Sequence, residues 1–514
     1  MALFTFTQKA LSISLEGKDG EDWIDSRIYE GMPGWPSGEK WQALNQSVDG
    51  RLSNCLPAVC GSATPGVYAI VAQSAQDVSA GVKFATENNL RVTVMGTGHD
   101  FLNRNQGQGS LVINTRSFRG VQVVRDYVPQ GAPNGTQPQP AVVIKAGHTF
   151  IEISPEIEEA GFMMVEAADP TVGAAGGWVQ GGGHGPLANQ YGLGCDNAIS
   201  FEVVLPSGEI VTANDFENPD LFYALRGGGA TTYGVVTQVT SRLHPLATTN
   251  AILVDITGPQ EQFFDAMAYL YALSPNMTDF GFTGYPTQVG NTYSGFFGAP
   301  GKTDQQTSDF FDPIAAHIRQ LGVNVTTVLQ SRRRMKREGA DTAGASKKLH
   351  RRQAGQKGRM SSRLIARTSF SEQNVPAIRK MIVDATRNGN SSYSLLPYPI
   401  LGGQVAKNKD LEVGVNPAWR DASMHLIALG LTTHEDKLIN IAAMDPLSVN
   451  SGSYWNEGYP GELDWKKTFF GGGEHYEKLL ALKKKFDPTN SLWCQICVGA
   501  DLLVLKEDGK LYPA

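Results

Sequence analysis

Four glycine-dense stretches carry the residues of this chain best suited to hold a ligand. They are Gly96-Thr-Gly-His-Asp-Phe101, Asp169-Pro-Thr-Val-Gly-Ala-Ala-Gly-Gly-Trp178, Gly181-Gly-Gly-His-Gly-Pro186 and Leu225-Arg-Gly-Gly-Gly229. Glycine lets backbone N–H groups approach a ligand with no Cβ in the way, and it adopts the positive φ of anion-binding turns. Two of the stretches include a histidine, His99 and His184, a side chain that serves as nucleophile, base or ligand near neutral pH. Several such loops together point to a large ligand with phosphates. Gly301-Lys-Thr303 ends like a P-loop, but Phe296 stands where that pattern needs its first glycine. Gly183-His-Gly185-Pro-Leu-Ala188 has the form G-x-G-x-x-A, yet no clean buried strand enters it and no βαβ unit surrounds it. HExxH and G-x-S-x-G are absent, which removes the simplest hydrolase readings. A nucleotide bound outside the usual folds remains.

Short apolar strands and helices must position these loops. Gln73 to Asn88 has helical spacing and leads into the β-like Arg91 to Met95, which opens onto the first glycine loop. Ser110 to Asn114, Ala141 to Ala146, Phe201 to Leu205 and Tyr233 to Thr240 read as further strands, and Ile153 to Gly161 as a helix stopped by glycine. Pro33, Gly34, Pro36 and Gly38 make the first 62 residues read as an irregular lead-in. After His244-Pro245, helical stretches such as Glu261 to Leu273 alternate with aromatic strands such as Asn291 to Phe297, and glycine thins out. Tyr476 to Phe486 is a last helix, ended by Asp487-Pro488. The expected architecture is α+β in two domains.

Composition sets the outer limits. The 514 residues are 41% hydrophobic and 18% charged, with a mean hydropathy of -0.22, which fits a chain with a buried core and no disordered majority. No apolar run approaches the length of a membrane-spanning helix. The 57 glycines are the outlier, at about 11% against a usual value of about 7%. A net charge of -6 argues against a nucleic-acid partner. Residues 332–363 nevertheless hold 12 Lys and Arg against Glu338 and Asp341. Removing these from totals of 44 bases and 50 acids leaves a net of -16 elsewhere. The run has few periodic apolar residues and reads as a solvated basic insertion, with a polyanion patch or a dibasic protease site as the functional alternative. Cys55 with Cys60 and Cys494 with Cys497 allow two short disulfides, leaving Cys195 free. These and five sequons (Asn45, Asn134, Asn276, Asn324, Asn390) fit a secreted or endomembrane glycoprotein. Met1 to Leu15 lacks the basic lead of a signal peptide, so the compartment is left open.

The same residues carry a resemblance. Val92 to Phe101 resembles the flavin-attachment loop of the vanillyl-alcohol-oxidase-type (PCMH-type) FAD-binding domain, and Pro170 to Gly173 with Gly176 to His184 resembles its second FAD loop. Asn218 to Gly229 followed by Gly234-Val-Val236 is similar to the segment that closes that domain. Tyr454-Trp-Asn-Glu457, Asp464-Trp465, Phe469 to Gly471 and Tyr476 to Pro488 look like the closing segment of berberine-bridge-enzyme-like proteins, in the fungal isoamyl-alcohol-oxidase-like branch. Five such segments in the right order, over roughly 63–247 and 450–500, make the resemblance specific. Asn416-Pro-Ala-Trp-Arg420 is the best anchor in the looser middle. The implied organisation is a lead-in to residue 62, a PCMH-type FAD-binding domain over 63–247, and an antiparallel-sheet substrate domain with covering helices over 248–453. A segment over 454–514 then returns to the FAD domain.

The resemblance implies FAD and no metal. The residues it assigns to the cofactor are Met95, Gly96, Thr97, Gly98, His99 and Asp100, then Thr171, Val172, Gly173, Gly176 and Gly177. Gly182, Gly183, His184, Gly185, Val236 and Asn456 complete the set. It implies a covalent bond from His99 to the flavin 8α-methyl group, since a neutral imidazole can add to an electrophilic flavin. Relatives with a second tether carry a cysteine just before Pro-Thr-Val-Gly, where this chain has Glu166-Ala-Ala-Asp169, so a single link and a narrow cleft are expected. Oxidation of a C–H bond needs a base for the O–H or N–H proton while hydride leaves for the flavin. Tyr454 and Glu412 are the candidates for proton removal, Trp178 and His184 are candidates to border the ring system, and Tyr293 and Phe296 are candidate pocket walls. The implied activity is an FAD-dependent oxidase acting on an alcohol or related C–H of a small, fairly apolar metabolite, with O2 reduced to H2O2. The alternatives are a dehydrogenase or cyclase of secondary metabolism that does not use O2, and a non-catalytic flavin-binding protein. A monomer or weak dimer is expected.

Overall fold

The computed structural model describes residues 27–55, 67–332, 359–448 and 451–514. Most of the basic run lies outside them. Short, mostly apolar strands form the first sheet, in which Leu52–Asn54, Tyr68–Val71, Leu111–Asn114 and Val92–Met95 lie side by side. Tyr68–Val71 and Val92–Met95 both pair parallel with Leu111–Asn114, whose four residues are all buried. Parallel neighbours need a crossover, and the helix Ala75–Glu87 supplies it, started by a reciprocal cap between Ser74 and Asp77. A second, antiparallel sheet runs Val121–Tyr127, Gln139–Lys145, Val235–Arg242, Ala198–Val204, Ile210–Ala213. The glycine-rich residues 169–194 cross between these sheets in short turns.

The lead-in is more ordered than its turn residues imply. Gly38–Ser47 is a helix whose start is capped by Ser37, and it buries Trp41 and Leu44 in the first core. The Pro and Gly cluster marks the turn before that helix, not the absence of one.

From Thr249 the chain builds a larger sheet in the second lobe, antiparallel throughout. Among the described residues its order is Asn324–Arg332, Thr249–Thr257, Thr292–Pro300, Thr287–Val289, Ser394–Tyr398, Ala422–Leu429, Met360–Ala366, with Thr283–Gly284 paired beside Thr292–Pro300. Helices Gln260–Ala272, Asp304–Gln320, Val375–Ala385 and His434–Met444 pack their apolar faces on it. The basic run was read as an insertion reaching residue 363. Its last member is instead a buried strand residue: Arg363 lies in Met360–Ala366 and pairs with Glu462 at 2.5 Å and Asp445 at 2.8 Å. The final helices, Trp465–Phe470 and Gly473–Phe486, return to the first core through Phe469, Phe470, Tyr476 and Leu479.

A third, smaller cluster joins the two lobes, with Leu193 and Cys195 from the first and Val413, Val415 and Trp419 from the second. At its edge Arg420 grips Asp196 with two 2.8 Å hydrogen bonds, both side chains being at most 7% exposed. Two fixed contacts on one carboxylate set geometry as well as energy. We expect Asp196→Ala, which strands the buried guanidinium, to lower stability by about 3–5 kcal/mol. Guanidinium unfolding of the two proteins measures it, and a loss under about 1 kcal/mol, the level of a surface pair, would remove this contact from the account.

Candidate functional site

One large cavity lies on the seam between the lobes. Its open volume is about 1450 Å³, and residues from the first sheet's loops, the second lobe and the C-terminal segment all line it. Gly96, Gly98, Gly173, Gly176 and Gly177 form part of its wall. A Cβ placed on Gly96, Gly176 or Gly177 would meet no protein atom closer than 3.8 Å, so the space left by the missing side chains is cavity. A long ligand can therefore lie directly on this backbone, as FAD would require.

Other predicted cofactor glycines do something else. Gly182, Gly183 and Gly185 do not line the cavity. Gly183 has φ +79° and lies against the Trp178 indole, and a Cβ on Gly185 would run into the carbonyl of Glu166. These residues close-pack the wall behind the cavity. Met95 is likewise buried behind its loop, where its sulfur accepts from Asn105. Thr97, His99, Asp100, Val172, His184, Val236, Tyr454 and Asn456 all line the cavity.

The His99 loop leaves the buried strand Val92–Met95 and turns at Gly98, φ +80°. Asp100 holds its far side, accepting from the backbone N–H groups of Arg104 and Asn105 and from the Arg104 guanidinium at 2.7 Å. Those bonds and the Arg104 charge offset the burial of Asp100 and hold its carboxyl below the usual range. His99 Nε2 lies 2.7 Å from Thr171 Oγ1, and Thr171 donates to Asp169 Oδ1 at 2.7 Å. Thr171 itself does not line the cavity.

Another part of the cavity wall is aromatic and ionisable. His184 Nε2 stands 3.3 Å from Glu457 Oε2, and its Nδ1 is 3.2 Å from the Tyr285 hydroxyl. His425 Nδ1 approaches the same Glu457 oxygen at 3.5 Å, without a hydrogen bond to either of its nitrogens. Tyr285, Tyr398 and Tyr454 complete the wall. Burial acts to raise the Glu457 carboxyl, and the imidazoles of His184 and His425 overcome it, leaving the group below the ordinary carboxylate range. Burial, reinforced by the nearby Glu457 charge, pushes the phenols of Tyr398 and Tyr454 well up. Tyr285 is raised by burial first, then by its neighbours Tyr398 and Glu457. Burial drives the His425 imidazole down to about 3. The wall thus presents one carboxylate and three neutral phenols at neutral pH.

Two sequence expectations for proton removal need correction. Tyr454 is in the cavity, but its raised phenol is a hydrogen-bond donor at neutral pH and a poor base. Glu412 lies outside the cavity, 81% exposed and paired with Lys478 at 3.0 Å. Tyr293, considered as a pocket wall, is buried in the second lobe's core, and neither it nor Phe296 lines the cavity. Trp178 does line it and donates from Nε1 to the His184 carbonyl. Sequence reading passed over Glu457, His425, Tyr285 and Tyr398. Glu457 alone carried a signal, as the last residue of Tyr454-Trp-Asn-Glu457.

Known proteins resemble this chain in sequence and fold. The family model for an FAD binding domain matches residues 67–214, and that described as berberine and berberine like matches 453–496. An uncharacterized FAD-linked oxidoreductase of Arthroderma benhamiae is 31% identical, the match covering 90% of this chain and 82% of the relative. An FAD-linked oxidoreductase of Gibberella fujikuroi is 29% identical over 93% of this chain and 94% of its own. Among solved structures, a VAO-type flavoprotein from Myceliophthora thermophila C1 superposes with a TM-score of 0.83 at 24% identity, covering 96% of this chain and all of the other.

The buried His425 makes stability depend on pH. Its folded value of about 3 lies below the ordinary 6.5, so between them the unfolded chain binds a proton that the folded chain does not. Stability therefore falls as pH drops from about 6.5 toward 3. We expect the thermal midpoint of His425→Leu to decline less over that window than the wild-type midpoint, with His244, lowered to about 4, contributing to the slope that remains. Parallel declines for the two proteins would refute the assignment.

Proposed function

Because this chain belongs to the berberine-bridge-like FAD-linked oxidoreductases of the vanillyl-alcohol-oxidase type, we propose that it is an oxidase of small, fairly apolar alcohols. Hydride would leave a carbinol or related C–H, and O2 would take the electrons to give H2O2. The observation that carries the reading is the largely enclosed Glu457, held by His184 in the same cavity that His99 lines. FAD, when bound, supplies the hydride acceptor at N5.

The chain's residues would supply the rest. Glu457 accepts the substrate O–H proton, directly or through His184, and its lowered pKa keeps it ready across the neutral range. The Tyr285 hydroxyl orients the His184 ring from its other nitrogen. The phenols of Tyr398 and Tyr454, kept neutral, can donate to a substrate oxygen and line an apolar slot at the same time. Asn456, which donates to the Gly177 carbonyl and the Tyr454 hydroxyl, ties this wall to the glycine loop. Aromatic rings on this scale favour a compact substrate with one hydroxyl over a polyhydroxylated chain.

A single covalent link through His99 completes the proposal. Cys195 is buried and does not line the cavity, while Cys494, which does, is bonded to Cys497. Neither thiol is placed to provide a second tether.

Flavin that stays with the acid-denatured band on a gel, and is lost from it in His99→Ala, is the result we expect; flavin released from the wild type would remove the tether. In Glu457→Gln the bound flavin should persist while anaerobic bleaching by a panel of small allylic and benzylic alcohols slows by about 10²–10⁴-fold. Substrate-driven bleaching without oxygen uptake would assign a different electron acceptor.

A further inference from the structure

We propose that Asp169 and Thr171 form with His99 a proton relay that makes the imidazole the nucleophile for its own attachment to the flavin. The inference rests on the single-tether reading above and deepens it by naming the groups that drive the attachment. Oγ1 of Thr171 stands between the His99 ring and the carboxylate, 2.7 Å from Nε2 on one side and 2.7 Å from Asp169 Oδ1 on the other. The Thr171 backbone N–H also donates to that Oδ1, at 2.9 Å.

An ionised carboxylate only accepts hydrogen bonds, so the hydroxyl proton points to Asp169 and the hydroxyl oxygen accepts from Nε2–H. This ordering fixes the neutral imidazole as the Nε2-protonated tautomer and leaves the ring lone pair on Nδ1. A weak nucleophile, a group that takes its proton and a third group that orients the second is the arrangement that activates side-chain nucleophiles generally.

The surroundings fit a working carboxylate. Asp169 is 7% exposed and lines the cavity, and its second oxygen, Oδ2, is buried without a hydrogen-bond partner. The buried Asp487, by contrast, has both oxygens hydrogen-bonded. The turn that carries the relay is pinned to the start of the helix Phe150–Glu159, where Phe150 and Ile151 donate to the carbonyls of Val172 and Pro170. The turn thus fixes the position of the carboxylate.

The step balances as follows. The Nδ1–C8α bond forms and one C–H bond of the flavin 8-methyl group breaks. The Nε2 proton passes to Thr171 as the Thr171 proton passes to Asp169. The electron pair of the broken C–H bond ends on the isoalloxazine, and O2 removes it as H2O2 together with the two protons, one from the methyl group and one from the imidazole.

Full-length protein produced under riboflavin limitation, then mixed with FAD, tests the relay by the rate at which flavin becomes acid-stable on gels and adds to the intact mass. Wild type should tether completely. Asp169→Asn and Thr171→Val, each compared at saturating FAD, should tether on the order of a hundredfold more slowly than wild type. Thr171→Ser, which keeps the hydroxyl, should restore the rate. Wild-type rates in both impaired variants would overturn the relay, and so would a Thr171→Ser protein as slow as Thr171→Val, since the methyl group would then be what matters. If Asp169→Asn fails to fold, the Thr171 pair decides alone. Wild-type protein that never tethers would overturn the single-tether reading itself, and with it the relay, a result distinct from tethering that ignores the substitutions.

Discussion

The geometry of the cavity depends on one guanidinium. Arg104 reaches from the end of the His99 loop to a segment some 350 residues later, donating to the Trp455 carbonyl at 3.0 Å and to Asn456 Oδ1 at 2.8 Å while it holds Asp100 at 2.7 Å. Its plane also covers the Trp455 indole, 3.4 Å from the ring centroid. Arginine suits this place because its donors are fixed in a plane and it remains charged when buried. The side chain carrying the proposed tether and the side chains carrying the proposed proton chemistry are therefore positioned by the same group. A buried cation with one carboxylate and two neutral acceptors has few alternative arrangements, which gives the seam a single register.

Electrostatics then divides the labour on the aromatic wall. Glu457 is its one carboxylate, and the phenols around it respond to its charge. The imidazoles of His184 and His425 favour its charged form, and that charge in turn disfavours ionisation of Tyr285, Tyr398 and Tyr454. Groups whose environments push their pKa values apart are suited to opposite roles, one accepting protons and the others donating hydrogen bonds. Burial sharpens the contrast, because charge interactions weaken less with distance out of water. Asp169 and His99 of the Asp169–Thr171–His99 chain line the same cavity. Two proton-handling sites in one cavity can act at different times in the life of one protein, one during maturation and one in each turnover.

Local patterns were legible and convergence was not. The strand before Gly96, the helix after Ser74 and the terminal helix each follow from apolar spacing and caps, and the glycine loops marked the correct region. Glu412 and Glu457 show where such reading stops. Both are acidic residues in plausible segments, but one ends exposed beside Lys478 and the other is enclosed by two imidazoles. Burial decides between them, and burial is a property of the assembled sheet. Tyr285, Tyr398 and His425 come from three separate parts of the second lobe, and only antiparallel pairing brings Tyr398 beside His425. No sequence window contains that information.

Glycine gives the subtler lesson, because its meaning is close approach without saying to what. At Gly96, Gly176 and Gly177 the approach is to the cavity. At Gly183 and Gly194 it is to the two sides of the Trp178 indole, and at Gly227 to the backbone of Val415 from the other lobe. Gly227 lets the second lobe sit against the first without an intervening layer of side chains. That closeness allows Tyr285 and Tyr398 to line the same cavity as His99. A Cβ at Gly227 would push Val415 away, and with it the neighbouring Asn416 to Arg420 turn whose guanidinium grips Asp196. The excess of glycine in this chain therefore serves the seam as much as the ligand, and a cavity built from both lobes needs both uses at once.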